Sequence, residues 1–144
     1  MGFIRTLLKD IDPNDLGITN GHEHIICRPP YWVEKGNDDL ILDDPQKSLS
    51  DVMDFKNMGG SSIVDATAID YGRDVEAVAN ISKKAGIHII GTGGFNKSFL
   101  WDAKIPDHLK GIVGNYDTFK EMIEKETIEN LVDMVKKEVE VGLS

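Results

Sequence analysis

Cys27 is the single cysteine, so no disulfide can form within the chain, and that fits a reducing cytoplasm. No apolar run approaches the ~20 residues that a membrane-spanning helix needs. Basic clusters are also missing. Lys and Arg number 16 against 25 Asp and Glu, the formal net charge is −9, and the longest basic runs are the pairs Lys83-Lys84 and Lys136-Lys137. A nucleic-acid binder concentrates positive charge on one face, so neither nucleic acid nor membrane is expected as a partner. The N-terminus, Met1-Gly2-Phe3-Ile4-Arg5, does not carry a basic segment followed by an apolar one, so no secretory leader is expected. No internal repeat or low-complexity tract is evident. What remains, 144 residues with 40% hydrophobic and 28% charged side chains, is the profile of one soluble, cytoplasmic globular domain.

Stop and start signals divide the chain into alternating elements. Residues 3–11 read as a short extended lead-in, and Asp12-Pro13-Asn14-Asp15 as a turn. A strand follows, ending in His22-Glu23-His24, which Pro29-Pro30 terminates before a polar loop to about Asp43. Asp44-Pro45 is a helix start, and Leu49, Val52 and Met53 give that helix an apolar stripe up to Gly59-Gly60. Ser61 to Thr67 reads as a second strand. A second helix runs from near Asp74 to Gly86, and Ile87 to Gly91 reads as a third strand. Such alternation predicts an α/β fold with a parallel sheet. After a long loop over 91–117, Thr118 and Glu121 suggest a capping box. Residues 127–141 then form a helix with Ile128, Leu131, Val132, Val135 and Val139 along one face. A fourth strand is expected to follow such a helix, so the chain reads as cut at an element boundary.

Successive side chains of a strand alternate between faces, so His22 and His24 should share one face and Glu23 take the other. Two imidazoles so placed can reach one metal ion, and in parallel α/β barrels the chemistry sits at this end of the strands. Asp65, ending the apolar part of the second strand, could hydrogen-bond a histidine ligand or simply bind backbone or water. Asp74 is a candidate N-cap, and Arg73 a brace that pairs with Asp70 or Asp65. Gly91 to Ser98 lacks the spacing of a phosphate-binding loop, but Asn96 and Lys97 could contact an anionic or hydroxylated substrate. His88 and His108 read as structural or exposed, Cys27 as a plain buried thiol, and Trp32 and Trp101 as walls of a pocket or cover for a barrel mouth.

Taken together, Gly17-Ile18-Thr19-Asn20-Gly21-His22-Glu23-His24, the stretch from Ile63 to Asp74 with its Gly72-Arg73-Asp74, and Gly91 to Lys97 resemble the phosphotriesterase family of the amidohydrolase superfamily. The resemblance covers nearly the whole chain. It implies the N-terminal part, about three βα units, of a TIM-type (βα)8 barrel, with residues 1–144 a single partial domain. It implies two divalent metal ions, zinc or else manganese or cobalt, with His22 and His24 on the more buried one, and a metal-activated hydroxide that opens a lactone or cleaves a phosphoester. Phe95-Asn96-Lys97 looks most like the members that open phosphorylated sugar lactones. The family's other ligands, a carboxylated lysine, two further histidines and an aspartate, belong to strands four to eight. By themselves these 144 residues would then hold neither the complete bimetal site nor a catalytic base. The alternative is a non-catalytic half-barrel that binds metal, or pairs with itself or a complementary fragment.

Overall fold

In the computed structural model, which describes residues 2–143, the chain divides into two compact units. The first comprises the residues up to Cys27, Leu42–Thr67 and Asp74–Thr92. Its centre is a parallel sheet of β3 (Thr19–Glu23), β4 (Ser62–Asp65) and β5 (His88–Gly91), in that order. Before it, β1 (Ile4–Arg5) and β2 (Asp10–Ile11) pair antiparallel. The segment read as one extended lead-in is therefore a small hairpin. Thr6 is the reason: its hydroxyl donates to the Lys9 carbonyl at 2.6 Å and accepts the Lys9 N–H at 3.2 Å, which reverses the chain.

The helices of this unit follow their sequence signals. The Asp44 carboxylate accepts the N–H groups of Gln46 and Lys47 and starts α2 (Pro45–Asn57), with Pro45 in the first turn. Asp74 does the same for α3 (Val75–Ala85) through the Ala77 N–H, and Gly86, at φ +63°, ends it in the left-handed region. Val52 of α2 and Val78, Ile81 and Ala85 of α3 bury against Ile63 and Ile89 of the sheet. Ile89 is wholly buried, a placement that stabilises the unit by about 1.5–3 kcal/mol.

The second unit comprises Arg28–Ile41, Ala68–Arg73 and the residues from Gly93 onward. Pro30 does more than end the preceding segment, because it occupies the first turn of a short helix, α1 (Pro30–Glu34). The long loop contains single-turn helices at Ser98–Leu100 and Asp107–Leu109, and α4 (Lys110–Val113). Thr118 caps α5 (Phe119–Lys125) by accepting the Glu121 N–H, while the Glu121 carboxylate reaches back to the Asp117 N–H. Phe119, Met122, Ile69, Ile105, Leu109 and Val113 form the core of this unit. Thr127 caps the last helix, α6 (Ile128–Glu140). Leu131 and Met134 of α6 pack on that core, but Ile128, Val132, Val135 and Val139 are exposed. Helical periodicity marks the apolar side of α6 correctly without telling what covers it.

Candidate functional site

Two of the three parallel strands end in residues with chemical side chains, His22 and Glu23 on β3 and Asp65 on β4, while β5 ends at Gly91. The pairing of β3 with β4 is not regular there. Asn20 lies opposite Ile63 and Glu23 opposite Asp65, so β3 takes three steps where β4 takes two. The extra residue is a bulge over Gly21 and His22, a device that re-aims side chains at strand ends. Strict alternation therefore does not place His22 and His24. His24 lies just beyond the strand, yet the two rings meet edge to face, with centroids 5.4 Å apart. Local side chains fix this turn of backbone. Asn20 accepts the His22 N–H at 3.2 Å, Glu23 accepts the His24 N–H at 3.0 Å, and the Asn20 amide donates to Glu23 at 3.3 Å.

Asp65 reaches His24 through an intermediary that the sequence did not single out. The Thr67 hydroxyl lies 2.6 Å from Asp65 Oδ1 and 3.0 Å from His24 Nδ1, and the Thr67 N–H also donates to Asp65 Oδ1 at 3.1 Å. Thr67 and Asp65 are buried, while His24 is half-buried and His22 exposed. Burial pushes the His24 pKa below its ordinary value, against the opposing pull of the Asp65 charge. At neutral pH the ring is thus uncharged, the form that keeps a lone pair for a metal. Burial raises the Asp65 carboxyl and outweighs the two donations from Thr67. His24 also lines a cleft of about 480 Å³ with Asn20, Glu23, Asp51 and Phe55, large enough for a small ligand. Cys27 is buried and its thiol is pushed up to about 11 by desolvation, so it is no nucleophile at neutral pH.

The donor set fits a divalent ion in part. Two imidazoles on one tetrahedral zinc, at about 2.1 Å each, bring their ring centroids to roughly 5 Å, close to the spacing of His22 and His24. Among the described residues no group of three or more His, Cys, Asp or Glu side chains is placed to hold a metal. Two imidazoles are what these residues bring together.

Asn96 and Lys97 belong to the second unit. The Asn96 N–H donates to both oxygens of Asp70 at 2.9 Å, and its side-chain amide approaches Asp70 at 3.4 Å. Trp101 adds its indole N–H at 2.9 Å. Trp101 thus braces its loop and packs on the core of the unit, whereas Trp32 makes edge-on contacts with Tyr31 and Phe99. Lys97 is exposed. Asp70 is buried, and burial raises its pKa despite these donors. Because only donors face it, Asp70→Asn should set an amide N–H against another N–H and destabilise the protein by about 1–3 kcal/mol, read as a lower urea midpoint. Arg73 does act as a brace, and one partner is a residue its neighbourhood in the sequence does not suggest. Its guanidinium meets Glu138 of α6 at 2.6 Å, and Glu138 also accepts the Gly94 N–H at 2.8 Å. His88 is half-buried within β5 and His108 is exposed.

A profile of the Phosphotriesterase family matches residues 2–143. The chain belongs to the phosphotriesterase family. Among solved structures, a lactonase of Listeria monocytogenes is 57% identical and superposes with a TM-score of 0.96 over 99% of this chain and 43% of its own. A phospho-furanose lactonase of Mycoplasmopsis synoviae is 37% identical over 103 residues, which is 69% of this chain and 29% of that protein. The N-acetyltaurine hydrolase of Xenopus tropicalis is 28% identical over 122 residues, covering 65% of this chain and 35% of that protein. This phosphotriesterase-family chain thus spans less than half the length of each relative. Its β3-β4-β5 sheet is the first part of the TIM-type barrel. For a phosphotriesterase-family chain, Thr67 is the residue a sequence reading misses. Its two-residue offset from Asp65 was the available signal, since a threonine there can return its hydroxyl to the carboxylate.

Proposed function

We propose that the chain is the N-terminal segment, a single partial domain, of a metal-dependent hydrolase that opens a lactone, with phosphorylated furanose lactones the first substrates to test. The observation that carries this reading is the meeting of the His22 and His24 rings at the end of β3, 5.4 Å apart. The phospho-furanose lactonase among the relatives points to the substrate class. His22 and His24 would hold one divalent ion, zinc or else manganese or cobalt. When bound, such ions make water nucleophilic near neutral pH and polarise a carbonyl or phosphoryl oxygen. The chain's own residues position the ligands. Asn20 and Glu23 tie down the backbone of the two histidines, and the buried Asp65 and Thr67 hold the His24 ring. Asn96, whose N–H and side-chain amide hold Asp70, and Lys97, an exposed cation, are the contacts for an anionic or hydroxylated substrate group. In the protein that carries the whole barrel, treatment with a chelator should abolish hydrolysis of phosphorylated furanose lactones. Added zinc, manganese or cobalt should restore it. Full turnover in a metal-free preparation would defeat the reading.

The exposed stripe of Ile128, Val132, Val135 and Val139 favours a second reading, a half-barrel that pairs with another copy or a complementary fragment and binds metal without turnover. Elution of the 144-residue chain as a well-folded monomer over a wide concentration range would count against it.

A further inference from the structure

We infer that Thr67 is a positioning residue that holds His24 as the Nδ1–H tautomer, leaving the lone pair on Nε2. The argument is a count of protons. The Thr67 hydroxyl has a single proton and two neighbours that could take it, Asp65 Oδ1 at 2.6 Å and His24 Nδ1 at 3.0 Å. The 2.6 Å contact to Asp65 is the shorter of the two, and an ionised carboxylate has no proton to offer and only accepts. The proton therefore goes to Asp65. The backbone N–H of Thr67 donates to the same oxygen at 3.1 Å and holds the threonine in register for it. With its proton committed, the Thr67 oxygen offers His24 only a lone pair, and His24 Nδ1 must supply the hydrogen. A neutral imidazole protonated at Nδ1 is a base at Nε2.

Burial makes the arrangement selective. Thr67 is 1% exposed and Asp65 3%, so water does not compete for these bonds, and reversing them would leave a buried carboxylate short of a donor. The hydroxyl acts as a one-way coupler: Asp65 orients Thr67, and Thr67 orients the ring. This deepens the metal-ligand reading of His24 and rests on it only for its consequence, namely that the ring presents Nε2 without a tautomer change.

The test uses the protein that carries the whole barrel, with ¹⁵N-labelled histidine and a long-range ¹H–¹⁵N correlation at neutral pH, in which protonated and unprotonated ring nitrogens resonate far apart. His24 is assigned from the resonances lost in His24→Gln. The wild-type protein should show His24 protonated at Nδ1, and Thr67→Ser should keep that pattern. Thr67→Val should lose it and weaken zinc binding by about 10–100-fold, the size expected for a partner of a metal ligand. A wild-type His24 protonated at Nε2 overturns the proposal without need of any variant, as does an unchanged tautomer in Thr67→Val. The two readings fail separately. An Nδ1–H tautomer in a whole-barrel protein that binds no zinc keeps the role of Thr67 and removes the metal role, whereas zinc binding with the opposite tautomer does the reverse.

Discussion

His24→Ala and His22→Ala should each weaken divalent-metal binding by at least about 100-fold, since even the hydrogen-bond partners of metal ligands are worth 10–100-fold. In the protein with the whole barrel, most hydrolytic activity should go with it. The fold should survive both changes. His22 is exposed, and His24 is half-buried, its ring facing the Thr67 hydroxyl and the His22 ring. The two variants should not behave alike in every respect. His24→Ala removes a ring that faces a buried hydroxyl, so a small loss of stability, about 1 kcal/mol, should accompany the loss of metal. His22→Ala should leave the unfolding midpoint where it was. Isothermal titration with zinc, alongside urea unfolding of the same preparations, separates the two effects. Wild-type affinity in both variants would remove the histidine pair from the site.

Gly72→Ala should destabilise the protein by about 3 kcal/mol or more, although it adds only one methyl group. Two costs combine. Gly72 sits at φ +74°, the left-handed region that side chains disfavour. A Cβ there would also lie 2.2 Å from the backbone carbonyl oxygen of Arg28, and backbone cannot rotate aside as a flexible side chain can. Moving that segment would further strain the hydrogen bond from the Arg28 N–H to the Gly72 carbonyl, 3.2 Å long. Gly60→Ala makes a useful contrast. Its clash is with the Phe55 ring and its φ is not in the left-handed region, so a side-chain shift can absorb part of the cost. Thermal unfolding of the two variants should place Gly72→Ala well below Gly60→Ala. Equal midpoints would show that the Arg28 strand of backbone is freer than its contacts imply.

The parts of the fold set by neighbours in sequence were legible, and those set by distant residues were not. Asp44, Asp74 and Thr118 were readable as caps because a cap acts within three residues of itself, and each does so here. The histidine pair was readable from its spacing at the end of a strand, although a bulge, not plain alternation, brings the rings together. Glu138 could not be named as a partner of Arg73, because 65 residues separate them and only the packed fold makes them adjacent. Asn96 has a structural duty that sequence does not show: its N–H and side-chain amide donate to Asp70, which needs donors because it is buried. Lys97 is exposed, and with Asn96 it is proposed to meet substrate.

The central claim is that His22 and His24 together hold a divalent metal, and diffraction from zinc-containing crystals of the protein at the zinc absorption edge tests it most directly. An anomalous peak within bonding distance of both rings, with His24 coordinating through Nε2, is the expected result. Zinc bound only elsewhere, or both rings ordered with no peak between them, would contradict it.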